Sequence, residues 1–139
     1  MDIDSIRREY MRDGLKRSQL QADPMEQFDQ WLSMATKTPM SDPTAMSVAT
    51  VGENGMPSLR TVLLKSYDQK GFVFYTHLYS RTARELKQSN KISMLFPWTH
   101  LERQVIVPRE AEFFATAESP KSFLSRTNEC QRARLTCHP

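Results

Sequence analysis

Hydrophobic positions change their period once along the chain, dividing it into a helical front and a β-rich remainder. Met25, Phe28, Trp31, Leu32 and Ala35 recur every three or four residues, which predicts one apolar stripe of a helix. Asp23-Pro24-Met25-Glu26 marks its start, with an acceptor for the cap, a proline suited to the first helical position and an acid placed for a capping box. Pro39, which lacks an N–H and restricts the residue before it, ends it. Asp4 is the cap of a shorter predicted helix over 4–12.

From Ala45 the period is that of strands, predicted over 45–51, 59–66, 72–76 and 92–96, with a fifth opening at 104–107 and extending toward 114. Glycine-bearing turns at 52–55 and 68–71 join the first three. Pro97 is expected to stop the fourth strand, and Pro108 to impose a bulge or an edge position on the fifth. Ser80 caps a predicted helix over 81–88, and Ser119-Pro120 opens a last one through Leu124. The pattern predicts an α+β fold, mainly β: a small antiparallel barrel with peripheral helices. Parallel βαβ units fit poorly, because the first three strands are joined by turns too short for a crossover.

Composition narrows the function. A chain of 139 residues with 39% hydrophobic and 25% charged residues can build one domain around a real core. No apolar run approaches the roughly 20 residues needed to span a bilayer. Residues 1–10 hold no signal-peptide core, so a cytoplasmic location is expected. A net charge of +3 is too mild to indicate nucleic acid, although a local anion site fits it. Cys130 and Cys137 read as free thiols of a reducing compartment, and no Cys/His grouping has zinc spacing.

Three groups could carry chemistry. Arg60 and Lys65 bracket the apolar run Thr61-Val62-Leu63-Leu64, on opposite faces unless a bulge re-aims one; a buried strand whose charged ends reach water has the same pattern. Tyr75-Thr76 followed by Ser80-Arg81-Thr82 at a helix start could cradle a phosphate, or could be an ordinary serine-capped helix. Gln104 offers a donor and an acceptor to the edge of a heterocycle, or to water. There is no serine triad, paired-carboxylate motif, Walker loop or GxGxxG, so an enzymatic reaction here would fall to a bound cofactor.

Taken together, Asp42-Pro43-Thr44-Ala45-Met46, the strand from Arg60 to Lys65, Phe74-Tyr75-Thr76, Leu95-Phe96-Pro97-Trp98 and Leu101-Glu102-Arg103-Gln104-Val105 resemble the pyridoxamine 5′-phosphate oxidase family, in its order and spacing. The resemblance implies an FMN-binding split barrel, incomplete at the C-terminus, that works as a homodimer. It implies oxidation of pyridoxamine 5′-phosphate or pyridoxine 5′-phosphate to pyridoxal 5′-phosphate with molecular oxygen; charge, hydropathy and Cys/His spacing already lead to the expectation of no nucleic-acid, membrane or metal partner. It places FMN against Arg60, Thr61, Val62, Leu63, Leu64, Lys65, Tyr75, Thr76, Arg81, Thr82 and Gln104. It places substrate against Arg7, Tyr10, Lys65, Ser122, Arg126 and Cys130.

The chain departs from the family pattern where Thr82 replaces a lysine, Ser122 a tyrosine and Cys130 a serine. After Gln131 it does not look like the family, and the expected Arg-x-His motif and tryptophan are absent. The expected organisation is an N-terminal segment at 1–22 over the site, a barrel domain at 23–131 and an atypical tail at 132–139, with bare barrel edges. A split-barrel module that binds FMN or pyridoxal 5′-phosphate without turnover, or a non-functional truncated fragment, are the alternative expectations.

Overall fold

The computed structural model describes residues 14–114 and the backbone of 132–138. The expected helices at 4–12 and 119–124, and Arg7, Tyr10, Ser122, Arg126 and Cys130, lie outside the described residues.

Helix α1 (Pro24–Thr36) begins as its sequence dictates: the Asp23 carboxylate accepts the Met25 N–H at 2.8 Å and Pro24 occupies the first turn. Strands β1 (Ala45–Val51), β2 (Pro57–Asp68) and β3 (Gly71–His77) form successive antiparallel hairpins. Gly55, at φ 76°, makes the positive-φ step of the first turn, where the Asn54 side chain also accepts the Met56 N–H. Helix α2 (Arg81–Gln88) follows, then β4 (Lys91–Trp98), a 3-10 turn at Thr99–Leu101, β5 (Arg103–Phe114) and β6 (Arg132–His138).

The strands close in the order β1-β2-β3-β6-β5-β4, all neighbours antiparallel, which bears out the expected mainly β barrel with helices at its margins. Two expectations, at Pro97 and in the tail, are corrected, and the one at Pro108 is narrowed. Pro97 does not stop β4, which pairs on through Trp98 opposite Arg103. The β1 ladder on β4 covers only Ser93 to Leu95, so no bond with β1 is lost at Pro97. Pro108 sits opposite Ser93 without a shift of register, and β6 meets β5 only from Glu110 onward, so of the two alternatives at Pro108 the edge position is the one realised. The tail forms β6, paired with β3 along 72–77 and with β5 along 110–114, where bare edges were expected. Residues 132–138 contain neither Gly nor Pro, so every position can serve a ladder.

The core gathers around one aromatic side chain. Phe28 projects from α1 and meets Phe72 and Phe96 at 4.9 Å, Tyr67 at 5.0 Å and Trp98 at 5.5 Å between ring centroids. Most of these pairs are edge-on, the geometry ring quadrupoles favour. A register shift between Leu64 and Ser66 leaves Lys65 as the extra residue of β2 and turns both Leu64 and Tyr67 toward the core, although they are three apart. The Trp98 indole N–H donates to the Pro43 carbonyl at 2.9 Å, fastening the chain before β1 to the end of β4.

Candidate functional site: a carboxylate-bridged arginine pair

Alternation splits the Arg60 to Lys65 strand between two faces. Arg60, Val62 and Leu64 point inward, whereas Thr61, Leu63 and Lys65 are exposed on the outer face. Arg60 is directed by acceptors on β1: its Nη1 donates to the Val48 carbonyl at 3.2 Å and to Thr50 Oγ1 at 2.5 Å. Its Nη2 donates to Glu85 Oε2 at 3.0 Å.

Glu85 is the residue that sequence reasoning missed. It lies on α2, 4% exposed, facing the sheet. Its Oε2 also accepts from the Thr50 hydroxyl, and its Oε1 accepts from the Ser58 hydroxyl at 2.7 Å and from Arg81 Nε at 2.7 Å. The signal available in the sequence was the i, i+4 pairing of Arg81 with Glu85, an arrangement more often found on a solvated helix face. The hydroxyls of Thr50 and Ser58, with Arg81 and Arg60 adding to them, hold the Glu85 carboxyl at about 2 against the opposing pull of burial.

A group whose folded pKa is lowered stabilises the fold above its unfolded value and loses that contribution as pH falls through the folded one. Here the window runs from about 4.5 down to about 2. Glu85→Gln is therefore expected to flatten the loss of stability between these values, read from denaturant midpoints at successive pH.

Arg81 lies 65% exposed, and its Nη1 and Nη2 make no hydrogen bond among the described residues. At the start of α2 the Ser80 hydroxyl accepts the Ala83 N–H at 3.1 Å and lies 2.9 Å from the Thr76 hydroxyl. The Arg81 and Thr82 N–H groups stand in the first turn, where no intrahelical acceptor reaches them. An anion between these N–H groups and the Arg81 fork would also meet the positive end of the helix. The donor set fits a phosphate ester, so a phosphorylated cofactor is compatible with these residues.

The remaining candidates are more scattered. The buried Thr82 side chain lies on the sheet-facing side of α2 and brings no charge to the cradle. Tyr75 and Thr76 are half-buried at the end of β3 next to α2. Gln104 is exposed at the start of β5 opposite Pro97, and β1 and β4 stand between it and β2 around the barrel. Lys65 is exposed at the β2 bulge. The structure thus brings together Arg60 and Arg81, joins Thr76 to the Ser80 cap, and leaves Gln104 and Lys65 apart from them. No helix among the described residues is long and apolar enough to cross a membrane, and no group of three His, Cys, Asp or Glu side chains among them could hold a metal ion.

A protein of Vibrio cholerae named pyridoxine/pyridoxamine 5′-phosphate oxidase is 51% identical over 138 residues, covering 99% of this chain and 65% of its own length. The chain thus spans about two-thirds of that relative, and the aligned stretch runs into the tail. PhzG from Burkholderia lata, solved with tetrahydrophenazine-1-carboxylic acid, superimposes with a TM-score of 0.78 at 20% identity, over 91% of this chain and 82% of its own. A pyridoxamine 5′-phosphate oxidase-related, FMN-binding protein from Nostoc punctiforme gives 0.59 at 15% identity, over 76% and 55%. At such identities these two share the fold, a split barrel. The family profile described as pyridoxamine 5′-phosphate oxidase matches residues 32–134, which takes in the barrel strands β1 to β5, the arginine pair and the capped start of α2. The chain with the carboxylate-bridged arginine pair belongs to the pyridoxamine 5′-phosphate oxidase family.

Proposed function

We propose that this chain binds FMN and takes part in the oxidation of pyridoxamine 5′-phosphate or pyridoxine 5′-phosphate to pyridoxal 5′-phosphate. The observation that carries the reading is the convergence of Arg60 and Arg81 on Glu85 beside the open first turn of α2. FMN, when bound, supplies the acceptor for a hydride, and molecular oxygen is the terminal oxidant, leaving as hydrogen peroxide. The alcohol substrate gives aldehyde directly; the amine also consumes water and releases ammonia.

The chain's own part is binding, orientation and exclusion of water, since a hydride acceptor replaces any protein nucleophile. Arg81 and the α2 N–H groups hold the cofactor phosphate, with Arg60 fixing the inner side of the cradle. Lys65, Tyr75, Thr76 and Gln104 line the ring system, and Lys65 also reaches substrate. Arg7, Tyr10, Ser122, Arg126 and Cys130 are the proposed substrate side, with Arg126 on the substrate phosphate. Arginine suits both phosphates because its fork makes two parallel hydrogen bonds.

A homodimer fits the outer face of β2, β1 and β4. Leu59 and Leu63 are exposed there, beside the small residues Ala45, Ser47 and Ala49. An apolar patch of this kind is what a second copy would cover. The proposed location is the cytoplasm, where Cys130 and Cys137 stay reduced.

The test is peroxide and pyridoxal 5′-phosphate formation from pyridoxine 5′-phosphate by FMN-reconstituted protein. Stoichiometric formation of both supports the reading, and a flavin-loaded protein that forms neither contradicts the enzymatic part. Thr82 favours the second reading, a module that holds FMN without turnover, because it leaves the cradle with two cations that share one carboxylate. Tight FMN binding with no peroxide selects that reading.

A further inference from the structure

Glu85 divides its partners between sheet and helix. Oε2 takes Thr50 and Arg60, and Oε1 takes Ser58 and Arg81. A carboxylate offers about four acceptor sites, so Glu85 is saturated and its orientation is over-determined. It has no lone pair left for a ligand, yet it touches both arginines proposed to face one.

The guanidinium is a rigid planar fork, so fixing one of its N–H edges aims the others. On Arg81 only Nε is held, on a side chain 65% exposed, and Nη1 and Nη2 make no hydrogen bond among the described residues. On Arg60 Nη1 serves Val48 and Thr50 while Nη2 serves Glu85, which leaves Nε uncommitted among the described residues. Without the carboxylate, Arg81 would sample many rotamers, and a ligand would have to order it on binding. The negative charge of Glu85 opposes a bound phosphate, but two guanidinium groups in direct contact, at 2.7 and 3.0 Å, screen it.

We propose that Glu85 is a positioning residue of the phosphate cradle, aiming the free N–H edges of Arg60 and Arg81 at a single phosphate dianion beside the first turn of α2. This rests on the FMN reading above and goes beyond it, by assigning the cradle's selectivity for phosphate to a residue that touches no ligand.

The test is a fluorescence titration of the unaltered chain, Glu85→Gln, Glu85→Ala and Ser58→Ala with FMN and with riboflavin, which has the same ring system and no phosphate. The preference for FMN over riboflavin is expected to fall roughly tenfold in Glu85→Ala, the loss from one misaimed charge-assisted hydrogen bond. Riboflavin affinity stays constant. Glu85→Gln, which keeps one acceptor oxygen, recovers part of the preference, an effect general destabilisation does not produce. An unchanged preference in Glu85→Ala overturns the proposal, and so does tighter FMN binding, which would make Glu85 a competitor for the arginines.

Should Glu85→Ala not fold, Ser58→Ala decides: removing one of the four donors is expected to cost about two- to threefold in the preference, and no change overturns the proposal. If the unaltered chain itself binds FMN no better than riboflavin, the flavin reading falls and Glu85 is judged on inorganic phosphate. Arg60 and Arg81 side-chain N–H resonances should then shift with added phosphate, and less so in Ser58→Ala. Absence of any shift overturns the positioning role as well.

Discussion

The double variant Arg60→Ala, Arg81→Ala is expected to bind FMN at least about 100-fold more weakly than the unaltered chain, with riboflavin affinity changed far less. Each arginine would give a phosphate oxygen a hydrogen bond with charge on both sides, worth about 1.5–3 kcal/mol, and tenfold in affinity is about 1.4 kcal/mol. The two losses are not expected to add, because both side chains are tied to the same carboxylate. A double-mutant cycle should show Arg81→Ala costing less when Arg60 is already gone. Arg60→Ala also strips a buried acid of one partner, so unfolding midpoints belong beside the titrations. If FMN and riboflavin affinities fall together, the loss is one of fold, and the arginines are not phosphate ligands.

The largest expected effect on stability is at Phe28. Phe28→Ala should destabilise the chain by about 3–5 kcal/mol, measured by urea unfolding. The side chain is 3% exposed, and four aromatic rings from β2, β3 and β4 surround it. Its removal opens a cavity that those rings cannot close, since each is held by its own strand. Phe28→Leu, which keeps most of the volume, should cost much less. Because Phe28 is the α1 side chain set among these rings, with Leu32 and Ala35 buried beside it in the same core, Phe28→Ala is also expected to loosen α1 before the barrel unfolds, seen as early loss of helical circular dichroism. Equal destabilisation by both substitutions would mean that ring geometry, and not filled volume, holds α1 in place.

The elements were legible where a local rule decides them. Asp23-Pro24 starts α1, Ser80 caps α2 and the glycine turns place the first hairpins, because each acts within a few residues. Pro97 misled because proline breaks a strand only where a neighbour needs its N–H, and whether β1 extends that far is a property of the sheet. The closing strand was illegible for a related reason: residues 132–138 have only a generic strand pattern, and their partners on β3 and β5 are distant in sequence.

The site was legible by resemblance and much less by pattern. Arg60 looked like the charged end of a buried strand, and by itself it is one. What makes it a candidate ligand is the meeting of Thr50 from β1 and Glu85 from α2 on its guanidinium, with Ser58 of β2 holding Glu85. Glu85 sits in an ordinary helical sequence, Arg81-Thr82-Ala83-Arg84-Glu85, and nothing local marks it as buried. Only the packing of α2 against the barrel turns an i, i+4 pair into the bridge between two arginines.

The most direct measurement is a crystal structure of the chain grown with FMN. The phosphate is expected at the first turn of α2, its oxygens about 2.7–3.2 Å from the Arg81 Nη groups and a backbone N–H, with Glu85 still joining Arg81 to Arg60. A flavin phosphate bound elsewhere on the barrel, with Arg81 directed into solvent, would contradict the account.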